Sequence, residues 1–136
     1  MRASLRLQLV LFAVAGMSAT AAVATQSRPD RPAQWLAPAS AAAVRNPLSA
    51  TPDVVAGGAR VYEERCSQCH GGEAAGSDWA PDLTSARVQR QSDGALYWKL
   101  SSGNAYQGMP GFSFLPPAQR WQLVLYLRSA ASKRGH

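Results

Sequence analysis

Cysteine and histidine are scarce in this 136-residue chain, with two of each, and the second histidine, His136, is the last residue. A structural zinc site normally takes four such donors, so one here would need carboxylates to complete it. A disulfide between Cys66 and Cys69 is chemically allowed, but it would close so short a loop that it would stabilise little. No segment alternates convincingly as a strand, which argues against a thioredoxin-like redox pair, since that needs strands and helices around its C-x-x-C. The sequence also lacks an internal repeat and a nucleophile, base and orienting group that would make a catalytic set. Basic residues outnumber acidic ones, 14 to 8, yet the basic run is confined to Lys133-Arg134 at the tail. Nucleic-acid binding therefore finds little support.

What is present begins with an export signal. Arg2 and Arg6 precede an apolar run, Leu7 to Ala15, and a small-residue stretch ends Ala22-Val23-Ala24. Cleavage after Ala24 is expected, which removes Arg2 and Arg6 and leaves 12 basic against 8 acidic side chains, a difference of +4. Retained instead, Leu7 to Ala24 is ~18 residues, enough just to span a bilayer, though Gln8, Ser18 and Thr20 interrupt it. The mature protein is accordingly expected in the periplasm or another exported compartment, with membrane anchoring through the N-terminus as the alternative. Residues 25–50 are rich in Ala, Pro and Ser, with Pro29, Pro32, Pro38 and Pro47 breaking any helix. They read as a linker or as an arm on the domain, with Trp35 and Leu36 as the bulky apolar pair that would dock.

The folded domain is expected over residues 51–132, followed by a basic tail, 133–136. Thr51 can cap a helix, Pro52 suits its first position, and Asp53 places negative charge in its first turn. Val54, Gly58, Val61, Tyr62 and Cys66 recur at helical spacing to a stop at Gly71-Gly72, which makes a first helix of roughly 18 residues. A loop from Glu73 to about Gln91 follows. Ser92 then caps a shorter helix through Leu96, Tyr97 and Leu100 that stops near Gly103, and a last helix runs from Pro116-Pro117 toward Ala131. The domain should be all-helical.

Cys66-Ser67-Gln68-Cys69-His70 is a haem attachment signal, and each position has a physical reason. On a helical turn Cys66, Cys69 and His70 stand at i, i+3 and i+4 and project from one face. The two thiols can add to the two vinyl groups of one porphyrin while the His70 imidazole reaches its iron from the same side. One covalent haem c with two thioether links follows, and it supplies apolar bulk to a domain too small to bury much of its own. A plain disulfide would leave the adjacent histidine without a role.

Electron carriers usually give haem iron a sixth ligand, and methionine opposite histidine raises the potential relative to harder donors. Once the signal is removed, Met109 is the one methionine left, and it lies between Gly108 and Pro110-Gly111 in a segment without helical patterning. That loop setting favours ligation over the commoner use of methionine as core filler. His136 is a weaker rival because an unanchored terminus seldom makes a fixed ligand.

From these residues the chain resembles a class I c-type cytochrome over about Thr51 to Ser132. The resemblance rests on C-S-Q-C-H-G at Cys66–Gly71, G-M-P-G-F at Gly108–Phe112, D-G-A-L-Y-W-K-L at Asp93–Leu100 and R-W-Q-L-V-L-Y-L-R at Arg120–Arg128. It implies a small all-α cytochrome c fold around one haem, with the first and last helices crossing at close range. Gly58 and Tyr62 match the family's contact positions on the first helix, and Trp121 and Tyr126 those on the last. It also implies that the carbonyl of Pro81 accepts from the ligating imidazole of His70, orienting it and strengthening it as a donor. Leu83, Leu96, Trp98 and Phe112 stand as ring-lining residues or as ordinary core, and the propionate contacts stay open among Arg87, Arg90 and Lys99. Pro116-Pro117 departs from relatives that carry a polar cap before the last helix.

The function read from all this is single-electron transfer by an iron cycling between ferric and ferrous states, with no enzymatic activity of its own. Its partners would be redox proteins such as a dehydrogenase, an oxidase or another cytochrome, met as a free carrier or within one complex. If Met109 did not bind iron, an open position would instead take peroxide or a small gas. Denaturing acid-acetone extraction of the exported protein should leave the pigment on the polypeptide, and Cys66→Ala combined with Cys69→Ala should release it.

Overall fold

The computed structural model describes residues 35–135, and the expected signal segment, Pro29, Pro32 and His136 lie outside them. Among the described residues there are six α-helical segments and no strand, as the missing alternation required. They are α1 (Ala39–Ala42), α2 (Pro52–Arg65), α3 (Ser67–His70), α4 (Ala86–Gln89), α5 (Asp93–Ser102) and α6 (Pro117–Lys133), with two short 3-10 turns at Gly72–Ala74 and Ala105–Gln107. None of these helices is long and apolar enough to cross a membrane.

Local chemistry sets the helix ends. Thr51 Oγ1 accepts from the Val54 N–H at 3.4 Å, and Ser92 Oγ accepts from the Ala95 N–H at 3.2 Å, so each hydroxyl satisfies a donor that its helix leaves open. Helix α6 begins without a side-chain cap: Pro116 stands at the cap position and Pro117 opens the helix with a residue that has no N–H to satisfy. The first helix is not the single run of roughly 18 residues that its periodicity implies. It breaks at Cys66, whose φ of −122° is far from helical, and resumes as α3. At the break the Ser67 hydroxyl donates to the Glu63 carbonyl at 2.7 Å, and a Ser side chain competing for a backbone acceptor tends to bend a helix. The segment read as an unbroken loop from Glu73 to Gln91 likewise contains a helical turn, α4, which apolar periodicity over so few residues could not reveal.

The core forms chiefly where α2 packs on α6, with α5 laid against α6. A Cβ on Gly58 would lie 2.1 Å from the Gln122 carbonyl oxygen, so the two backbones approach as closely as they do only because Gly58 has no side chain. One turn further on, the Tyr62 and Tyr126 rings meet at 5.0 Å between centroids. The Trp121 ring stacks on Tyr97 of α5 at 4.0 Å and 17°, and so joins α5 to α6, while sharing the buried cluster with Val61 and Tyr62 of α2. Val61, Leu96, Leu100, Phe112, Leu115, Leu123, Val124 and Leu127 complete the buried cluster.

Residues 35–48 lie along α5 and α6. The Ser92 hydroxyl donates to the Ala42 carbonyl at 2.6 Å, Asn46 Nδ2 donates to the Trp121 carbonyl at 3.1 Å, and Leu48 packs against the core. Of the expected docking pair only Trp35 engages, its ring 4.9 Å from Lys99 Nζ. Leu36 stays 66% exposed, because Pro38 and α1 turn the chain after Trp35. Replacing Gly58 with Val forces α2 and α6 apart, and should lower the stability of the haem-loaded protein by about 1–3 kcal/mol in denaturant unfolding.

Candidate functional site

The break at Cys66 builds the site. With α3 folded as one turn, the Cys69 and His70 N–H groups both donate to the Cys66 carbonyl, at 3.1 and 2.9 Å, so the three residues of the motif share a single hydrogen-bonded turn. Cys66 is buried and Cys69 exposed, and neither is in a disulfide. Burial, with Cys69 beside it, pushes the Cys66 thiol up to about 11, so it is a neutral thiol at physiological pH.

His70 is buried, and its Nδ1 lies 3.0 Å from the Pro81 carbonyl oxygen. A carbonyl only accepts, so Nδ1 carries a proton, and in the neutral imidazole the lone pair is then on Nε2. This is the arrangement of a metal-ligating imidazole whose other nitrogen is held by an acceptor. His70 and Pro81, 11 positions apart, are brought together by a tightly bonded loop. The Gly76 N–H donates to the His70 carbonyl at 2.7 Å, and the Leu83 N–H to the Ala74 carbonyl at 2.9 Å. Gly76 has φ of +85°, and a Cβ there would sit 2.6 Å from the Asp82 nitrogen, so no other residue fits the turn. Glu73 and Ala74 also take left-handed φ values, 55° and 61°, a cost that the surrounding bonds override.

Three contacts in this loop were not read from the sequence. Asp82 Oδ1 accepts from the Thr84 N–H at 2.7 Å and from the Thr84 hydroxyl at 2.6 Å, closing an Asx turn directly after Pro81. The pair Asp82-x-Thr84 is a local turn signal that could have found it. The Ser77 hydroxyl donates to the Cys69 carbonyl at 2.5 Å. The Tyr62 hydroxyl, from α2, donates to the Gly71 carbonyl at 2.6 Å and so ties the chain just beyond His70 to the main helix pair. Burial, then the neighbouring Cys66 and Tyr126, hold the Tyr62 hydroxyl far above its ordinary range, so it remains a donor.

Met109 lies half-buried on the edge of the hydrophobic cluster that contains Cys66, Leu96, Leu100 and Phe112. Its backbone is fixed by a two-way exchange with Asn104: the Asn104 N–H donates to the Met109 carbonyl at 2.8 Å, and the Met109 N–H to the Asn104 carbonyl at 3.0 Å. Those bonds tie Met109 to the turn after α5, not to His70. Leu83 joins the cluster's edge, whereas Trp98 is only half-buried on α5. Arg87 and Arg90 are exposed, and Lys99, held against Trp35, has its ammonium pKa lowered by burial and then by Arg87.

An all-helical domain with C-x-x-C-H on one broken turn, and a ligating tautomer imposed on its histidine, defines a c-type cytochrome domain. The family described as cytochrome c oxidase, cbb3-type, subunit III matches residues 53–127, and the chain belongs to that family. Among curated proteins, none matches the chain. The family implies electron transfer and a covalent haem c, and the donor set fits that group: two unpaired thiols, one imidazole Nε2 with its lone pair, and a soft thioether within the same domain. Tyr62→Phe removes the bond to Gly71 and should cost about 1 kcal/mol in denaturant unfolding of the haem-loaded protein.

Proposed function

We propose that this chain is an exported mono-haem cytochrome that passes single electrons between redox proteins. Cys66 and Cys69 would hold the haem through two thioether links, with His70 Nε2 and the Met109 sulfur as the donors to its iron. When bound, the haem supplies a one-electron ferric–ferrous couple. The protein's own residues do the tuning. The Pro81 carbonyl keeps the proton on His70 Nδ1 and makes Nε2 a stronger donor, while the cluster of Leu96, Leu100, Phe112 and Leu83 excludes water.

The observation that carries the reading is the 3.0 Å contact from His70 Nδ1 to the Pro81 carbonyl, because it prepares a buried imidazole as a ligand beside two free thiols. The family's description as an oxidase subunit supports electron delivery to an oxidase complex as the setting. Size-exclusion chromatography of the native protein separates that setting from a free carrier, since a complexed chain travels with a large catalytic partner. The N-terminal signal supports a periplasmic or otherwise exported location.

A pyridine haemochrome spectrum should report one haem per chain with both vinyl groups saturated; an unreacted vinyl group would overturn the two-sulfur attachment. The ferric protein should show a methionine-to-iron charge-transfer band in the far red. Met109→Ala should abolish that band and lower the midpoint potential, and an unchanged spectrum would remove Met109 from the coordination sphere.

A further inference from the structure

Arg120 is a buried cation, 8% exposed, in the first turn of α6. Both facts work against it. Burial penalises the charge, and the start of a helix carries partial positive charge, here with no acidic residue in the first turn to offset it. The one ion pair among the described residues joins Arg128 to Asp93 and does not involve Arg120.

Its guanidinium is satisfied in another way. Nε donates to the Leu115 carbonyl at 3.2 Å, Nη1 donates to the Ser101 hydroxyl, and the group lies 4.6 Å from the Tyr97 ring centroid. The Ser101 hydroxyl in turn donates to the Tyr97 carbonyl at 2.7 Å, which orients its oxygen to accept from Arg120. Ser101 stands at the end of α5, and Leu115 two residues before α6 opens at Pro117. Arg120 therefore grips both ends of the segment that connects the two helices, and Met109 lies inside it. The Phe112 N–H adds a third tie by donating to the Leu100 carbonyl at 2.8 Å.

We infer that Arg120 is a positioning residue for Met109: its guanidinium closes the 103–116 segment at both ends and holds the methionine against release from the iron. The inference rests on the proposed Met109 ligation. A planar fork of donors can serve the carbonyl and the hydroxyl together, whereas a lysine ammonium on a flexible stem does so poorly. Loosening the grip raises the fraction of molecules in which the segment stands open. An added ligand that competes with Met109 then binds more tightly, in proportion to that fraction.

The test is a titration of the ferric holoprotein with imidazole, followed at the far-red band, in wild type, Arg120→Lys and Ser101→Ala, with thermal unfolding recorded in parallel. A wild-type spectrum without the band would defeat the Met109 ligation itself, separately from anything Arg120 does. With the band present, Arg120→Lys should raise the apparent imidazole affinity about tenfold, and Ser101→Ala should raise it by less. Affinities within about twofold of wild type, alongside a lowered melting temperature, would show that Arg120 only supports the fold and would overturn the inference. Should Arg120→Lys fail to fold with haem attached, Ser101→Ala decides alone, and an unchanged affinity there has the same consequence.

Discussion

Everything in this domain hangs from the place where α2 and α6 touch. Gly58 leaves room for the Gln122 carbonyl, so the two helices can lie close enough for the Tyr62 and Tyr126 rings to meet one turn later. A small domain has few such contacts to spare. From that crossing Tyr62 reaches the Gly71 carbonyl, so the position of the chain beside His70 is inherited from the packing of the two longest helices. The site and the core are therefore one mechanical unit, joined by the Tyr62 phenol and by Cys66, which is itself part of the buried cluster.

The same economy appears in how backbone groups are used. The Cys66 carbonyl accepts from two N–H groups, the His70 carbonyl accepts from Gly76, and the Pro81 carbonyl faces the imidazole. Few charged side chains take part, which suits a site meant to surround an apolar ring in a low dielectric. The charged groups that are drawn inward serve the connections between helices. Arg128 donates to Asp93 and to the carbonyls of Gln89 and Gln91, fixing the approach to α5, while Arg120 fastens the ends of the segment between α5 and α6. In both cases a guanidinium serves several acceptors at once, which a single ammonium would not.

Much of this was legible in residue order. The caps at Thr51 and Ser92, the proline start of α6 and the absence of strands among the described residues all follow from local chemistry, and local chemistry is written in neighbouring residues. The broken first helix was missed because Cys66 continues the apolar period while the Ser67 side chain, not the periodicity, decides the bend. The stacking of Trp121 on Tyr97 was not legible for a related reason. Helical spacing says which face a residue occupies but not which neighbouring helix lies across from it.

By itself the sequence determined the attachment motif, the helical class and the loop setting of Met109, since each depends on spacing within a few residues and on which side chains can donate. Only tertiary structure decided the hold of Tyr62 on Gly71, the hold of Ser77 on Cys69 and the burial of Arg120. Those depend on carbonyls and hydroxyls brought together from distant segments, and every non-proline residue carries the same backbone donor and acceptor, so nothing in a residue's identity announces which of them will meet.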